Sequence, residues 1–289
     1  MHRTTYDSIR LNDRADTPLT ERRAFSPLLR VTFIALWILG FVTLMIWSVI
    51  IRNHPAPYPF EYQFTLMIQN AQLWGWVDPL IRFFSNLDNT LPAVTGITLC
   101  VFALAFIRWS EQRKEERRYG ANARPRGFRE HAEWYRQPIF LAVGTAIGSL
   151  LNLAITILVA RPRPLGPICG HPHALTAICV TDSIPIHSFP SGHCEFDMML
   201  YGFLLYLSFT RAVQEWRYHW LLLPLQLFAA AAILIIGYSR VLEGDHWLLD
   251  VGGGYLSGAL WLTLSIFLYR KVRRGAEARW GRKIALSGS

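Results

Sequence analysis

Two short polar strings interrupt otherwise apolar stretches of this chain. One is Pro190-Ser191-Gly192-His193; the other is Ser239-Arg240, followed after five residues by His246 and after three more by Asp250. Together they bring two imidazoles, a carboxylate, a guanidinium and a hydroxyl. That set can move a phosphoryl group through a histidine, with the cationic groups neutralising charge as it develops. Residues of this kind are costly among apolar neighbours unless they serve a site.

Each string has its own logic. Pro-Ser-Gly ahead of a helix offers unpaired backbone N–H groups and the positive end of a dipole, which suits an anion. Gly192 lets the backbone approach that anion, Ser191 can donate a hydroxyl, and His193 sits beside both. In the second string, His246 and Asp250 are four residues apart at the start of a helix and so share a face. A carboxylate there can hold the imidazole in one tautomer and stabilise its cationic form. A third string, Arg161-Pro162-Arg163-Pro164, ends an apolar run, with prolines that stop the helix. Guanidinium groups fixed this way fit phosphate oxygens in a bidentate manner, although snorkelling to headgroups is the simpler alternative. Glu243, Asp245, His171 and His173 could ligate a metal, but no His-Glu-x-x-His spacing occurs. No metal and no cofactor are expected.

The elements that position these residues must cross a membrane. Of 289 residues, 52% are hydrophobic and 17% charged, against about 25% charged in soluble domains. The charges fall in blocks separated by apolar runs of about 17–25 residues, the length that crosses a bilayer core. Six spans are expected, at 31–51, 91–107, 138–160, 194–209, 220–238 and 247–269. The fold class is thus an all-α, polytopic helix bundle, with a six-span domain over residues 31–270 between basic tails at 1–30 and 271–289. The first run is too long for a signal peptide h-region and follows about thirty polar residues, so it reads as a retained anchor.

Arginine and lysine concentrate before the first span, between the second and third, and after the sixth. These segments are expected in the cytoplasm, which turns all three polar strings to the outer face. The net charge of +9 is then a topology signal, and its expected partners are anionic lipid headgroups rather than nucleic acid. Cys169 and Cys179 share one outer loop, where a disulfide and two free thiols are both open. Phe60 to Trp76 reads as an aromatic-rich amphipathic helix in the interface, either covering the bundle or bordering a lateral entrance. Gly144 with Gly148, and Gly254 with Gly258, are spaced for close helix contact.

Taken together, these strings resemble the signature of the type 2 phosphatidic acid phosphatase superfamily, membrane lipid phosphatases related to vanadium haloperoxidases. That signature is Lys-x6-Arg-Pro, Pro-Ser-Gly-His and Ser-Arg-x5-His-x3-Asp. The last two are matched at every defined position. In the first, Arg163-Pro164 match, but Thr156 replaces the lysine. The resemblance implies an outward-facing, metal-independent hydrolase of a lipid phosphate or diphosphate, with undecaprenyl diphosphate and phosphatidic acid among the candidates. It implies that His246 attacks phosphorus, Asp250 orients His246, and His193 is the general acid and then base. Arg163, Arg240, Ser191 and Gly192 would hold the oxygens. Loss of the lysine would remove one charge-assisted contact, about 1.5–3 kcal/mol, and Arg161 is expected to stand in for it. Two other readings follow from the same residues: a vanadate-dependent oxidant, and a membrane protein that binds lipid phosphate without turnover.

Overall fold

The computed structural model describes residues 27–87, 128–164, 187–210, 214 and 218–287. Among these the regular structure is entirely helical: α1 (Pro27–Asn53), α2 (Pro59–Asn70), α3 (Val77–Leu87), α4 (Phe128–Val159), α5 (Gly192–Ser208), α6 (Leu223–Leu242, entered through a 3-10 turn at His219–Leu222) and α7 (Leu248–Ser287). The expected second span, the cysteine pair 169/179 and residues 1–26 lie outside the described residues.

Among the described residues, four helical segments are long and apolar enough to cross a bilayer: Leu28–Asn53, Ile139–Val159, His219–Leu242 and Leu248–Val272. They fall on the first, third, fifth and sixth expected spans. The expected fourth span is α5, of 17 residues, about 26 Å at 1.5 Å per residue. It is shorter and carries Glu195 and Asp197, both buried. Acidic residues are tolerated there because α5 is enclosed by α4, α6 and α7, so its sides meet protein rather than lipid.

Burial confirms which solvent surrounds the bundle. On α4, Ile139, Val143, Ile147, Leu150 and Ile157 point outward and are exposed, whereas Thr145 and Asn152 are buried. Apolar side chains outside and polar ones within is the arrangement that hydrocarbon favours, and the protein is an integral membrane protein. The two units of the chain are Met1–Leu39 and Gly40–Ser289. In the first, the described residues are the opening turns of α1, with Leu28, Val31 and Leu36 exposed. In the second, the helices pack around α5.

The closest contact joins α5 to α7. A methyl group built on Gly254 would strike the backbone carbonyl of Ser191, and one on Gly258 would lie 2.7 Å from Met198 Cβ. Both are too short for any larger residue, so these glycines bring the start of α7 against the Pro-Ser-Gly-His string. Gly144 and Gly148 do the same for α4, against Ser265 and Glu195.

Helix ends carry the remaining specification. Helix α2 has proline at its start and a reciprocal capping arrangement in which the Glu61 carboxylate accepts the Tyr58 amide. Helix α4 stops at Val159; Ala160 takes a left-handed φ of 55°, and the prolines at 162 and 164 prevent resumption. Helix α6 closes on Arg240, whose carbonyl accepts the amides of Asp245 at 3.0 Å and His246 at 3.2 Å. This tight return needs Gly244 at φ 75°, a conformation glycine adopts without penalty.

Candidate active site

The three polar strings meet. His246 sits in the turn between α6 and α7, and His193 in the first turn of α5, with ring centroids 6.0 Å apart. His246 Nδ1 donates to the Ser188 carbonyl at 2.8 Å. A carbonyl can only accept, so the proton resides on Nδ1 and the lone pair on Nε2. Nε2 is buried and has no partner among the described residues. With Nδ1 fixed, the lone pair of Nε2 is left uncommitted there.

Asp250 supports this ring by a different route from the expected one. Its Oδ2 lies 4.0 Å from Nδ1, beyond hydrogen-bond reach. It accepts the Ser188 hydroxyl instead, together with the Trp247 amide at 2.8 Å. Ser188 thus links the two: its hydroxyl binds the carboxylate and its carbonyl binds the imidazole. Asp250 is also the third residue of α7, so the Trp247 bond completes the cap of that helix.

Arg161 corrects an expectation. It was expected to replace the missing lysine as a phosphate ligand, yet its side chain is fully buried and committed elsewhere. Nη1 binds Asp250 Oδ1 at 2.6 Å, Nη2 binds Glu61 Oε2 at 2.7 Å, and Nε donates to the Pro55 carbonyl at 3.2 Å. Two carboxylates in a space without water compete for a guanidinium more strongly than a transient anion does. Thr156 is no anion ligand either. Its hydroxyl donates to the Asn152 carbonyl at 2.9 Å and lies 3.5 Å from the Pro190 carbonyl. Asn152 donates to that same Pro190 carbonyl at 3.3 Å, so α4 braces the loop from beneath.

Of the remaining expected residues, Arg163 and Arg240 lie close enough to His193 and His246 to act on both by charge. Ser191 is the N-cap of α5 and accepts the Cys194 amide at 3.5 Å; its own amide donates to the Asp250 carbonyl at 2.9 Å. Gly192 is exposed. Arg163 has a buried Nε without a partner, and its Nη1 stands 4.0 Å from Asp245. Arg240 is engaged on both sides: Nη1 with Asp245 at 2.8 Å, Nη2 with Glu243 at 2.7 Å and with the Ser85 hydroxyl of α3.

The electrostatics are those of an anion site. Burial, and then the charges of Arg240 and Arg163, lower the His193 pKa to about 3. Burial, with Arg163, His193 and Arg240, holds His246 well below its ordinary value. Arg163 is itself lowered by burial and by the nearby Arg240. Arg163 and Arg240 thus disfavour the charged form of both imidazoles, while Asp245 and Glu243 pair with those arginines.

Sequence reasoning missed Glu61, Ser188, Ser85 and the pairing of Asp245 with Arg240. Ser188 is two residues before the signature string and Asp245 one residue before His246, so adjacency alone could have raised them. Glu61 had a weaker signal, an acid at the third position of a proline-started helix that is otherwise aromatic.

Comparison with known proteins agrees with the site. Residues 137–274 match the family profile of the PAP2 superfamily. Over 132 residues the chain is 32% identical to phospholipid phosphatase 2 of Homo sapiens, covering 45% of this chain and 41% of that protein. Over 80 residues it is 38% identical to phospholipid phosphatase 2 of Rattus norvegicus, covering 27% of this chain and 28% of that one. The matches therefore span less than half the length of these curated relatives. The crystal structure of a transmembrane PAP2-type phosphatidylglycerolphosphate phosphatase from Bacillus subtilis superimposes with a TM-score of 0.55 at 18% identity, over 82% of this chain and 96% of that chain, which shows a shared fold. Residues 137–274, which carry all three polar strings, are thus similar to the PAP2 superfamily.

Proposed function

We propose that the protein is an integral membrane phosphatase that hydrolyses a lipid phosphate or diphosphate through a phosphohistidine on His246. The observation that carries this reading is the buried His246 Nε2, without a partner among the described residues, on a ring fixed through Nδ1 and close to Arg163, Arg240 and His193. In the first step Nε2 bonds to phosphorus, the bond from phosphorus to the lipid oxygen breaks, and His193 protonates that oxygen. In the second, neutral His193 takes a proton from water, the hydroxyl oxygen bonds to phosphorus, and the P–N bond breaks to release inorganic phosphate.

Arg163, Arg240, Ser191 and the Gly192 N–H bind the non-bridging oxygens. An incoming phosphate replaces Asp245 on the arginines and supplies the negative charge that raises His193 into a proton-donating range. Charge neutralisation by these groups serves the role that a metal has elsewhere, and the reaction is metal-independent. Asp250 balances the charge that His246 acquires, by the Ser188 route.

The catalytic domain occupies residues 31–270, has six spans and keeps both termini in the cytoplasm, with the site on the outer face. The distribution of arginine and lysine supports that orientation. A site at a helix-bundle end suits a substrate whose tail stays in the bilayer and whose phosphate stands at its surface. Undecaprenyl diphosphate and phosphatidic acid both have this form. The test is phosphate release from a panel of lipid mono- and diphosphates, in EDTA, with His246→Ala beside the native protein. The native protein releases phosphate and the variant does not. Activity persisting in His246→Ala would sink the phosphohistidine, and activity abolished by EDTA would sink the metal-free reaction.

A further inference from the structure

We propose that Glu61, carried by α2, is a positioning residue for His246 that acts through Arg161 and Asp250. This inference rests on the phosphohistidine reading above. Glu61 is fully buried, and its two oxygens accept four donors. Oε2 takes Arg161 Nη2 at 2.7 Å and the Tyr58 amide at 2.9 Å; Oε1 takes Arg161 Nη1 at 3.2 Å and the Leu249 amide at 3.2 Å. One carboxylate therefore joins the start of α2, the start of α7 and a buried guanidinium.

The chain of contacts continues to the nucleophile. Arg161 Nη1 donates to Asp250 Oδ1 at 2.6 Å. Asp250 Oδ2 accepts the Ser188 hydroxyl, and the Ser188 carbonyl accepts His246 Nδ1–H at 2.8 Å. The Arg161 carbonyl also accepts the Ser188 amide at 2.7 Å, so Arg161 holds this serine by its backbone as well as through Asp250. Rotation of Glu61 would release the Leu249 amide and one side of Arg161 together. Both sit one covalent or hydrogen-bonded step from Asp250.

Charge gives the link a catalytic meaning. Glu61 and Asp250 against Arg161 leave one net negative charge in a fully buried cluster, and Arg163 feels the Asp250 charge. A further cation arises beside it when His246 bonds to phosphorus through Nε2 while Nδ1 keeps its proton. The cluster thus interacts more strongly with the intermediate than with the resting enzyme, the condition under which an interaction raises kcat. Without the Glu61 charge, Arg161 and Asp250 form a neutral pair and the field at the imidazolium weakens. None of the four Glu61 contacts involves Arg163, Arg240, His193 or Ser191, so anion binding should be spared.

The test is Glu61→Gln and Glu61→Asp in reconstituted vesicles, with a lipid phosphate that the native protein hydrolyses. Glu61→Gln should lower kcat about 10–100-fold, the usual cost of losing an outer partner that orients a functional histidine. KM, and competitive inhibition by vanadate as a phosphate-like anion, should stay within about threefold. Phosphohistidine trapped by an alkaline quench, in which the P–N bond survives, should form more slowly, and Glu61→Asp, which keeps the charge, should recover part of kcat. A kcat for Glu61→Gln equal to that of the native protein overturns the proposal. So does a fall in kcat matched by an equal loss of vanadate affinity, which would mark a general disturbance of the fold. His246→Ala run alongside separates the two levels. Activity in that variant removes the nucleophile and this proposal with it, whereas an inactive His246→Ala beside a fully active Glu61→Gln removes Glu61 alone.

Discussion

Anion binding at this site should take up a proton on His193. Burial and the charges of Arg240 and Arg163 lower its pKa from 6.5 to about 3. Returning it to the ordinary value takes about 5 kcal/mol, at about 1.36 kcal/mol per pH unit. A dianion beside His193 supplies energy of that order, about 4 kcal/mol for each pair of unit charges 4 Å apart at the effective dielectric of a partly buried site. The complex then holds one more proton than the free protein, so binding tightens as pH falls. Between about 6.5 and about 3 the affinity should rise about tenfold per pH unit, and from pH 7.5 to pH 5 about thirtyfold. Sulfate is the right probe, because it stays a dianion throughout this range. Calorimetry of the protein in lipid nanodiscs, in buffers of different ionisation enthalpy, counts the proton directly. His193→Asn should abolish both the slope and the proton uptake. An affinity that stays flat from pH 7.5 to pH 5 would refute the charge argument. An unchanged slope in His193→Asn would refute the assignment of His193 as the proton donor.

Three further outcomes follow. Asp245→Asn frees Arg240 and Arg163 from the carboxylate they share, and should tighten vanadate inhibition by about 1–2 kcal/mol, a value reduced from the buried limit because Asp245 is partly exposed; weaker inhibition would show that Asp245 helps to hold the anion. Arg161→Ala leaves Glu61 and Asp250 buried without their cation and should cost about 3–5 kcal/mol of stability, read as a lower thermal midpoint in detergent; an unchanged midpoint would contradict the ion cluster. Gly254→Ala forces a methyl group onto the Ser191 carbonyl and should cost about 1–3 kcal/mol through overpacking, with a loss of activity because the strained partner is the phosphate loop itself; a fully active variant would show that the loop can shift.

Much of the site was legible because its chemistry is written in local order. Pro190 to His193 and Ser239 to Asp250 state their own spacing, and span counting brings their ends together. Arg161 was misread for a physical reason: in the sequence it is two residues from Arg163, and nothing there separates a guanidinium that faces the histidines from one that faces inward. The difference comes from Ala160 at its left-handed φ and from Glu61, which reaches the cluster from α2. The route from Asp250 to His246 was not legible either. Four residues along a helix place two side chains on one face, but Asp250 spends its oxygens on Ser188, Trp247 and Arg161.

The sequence by itself determined the solvent, the apolar helices and which groups are candidates for the chemistry. Hydrophobic run length and residue type are local properties, readable without knowing what lies opposite. Only the tertiary structure decided which nitrogen of His246 is free, which arginine is spent on structure, and which carboxylate from a distant helix completes the cluster. Those outcomes depend on competition among buried donors and acceptors brought from α2, α4, α5 and α7. Once water is excluded, the best-placed partner wins, and sequence spacing does not reveal which one that is.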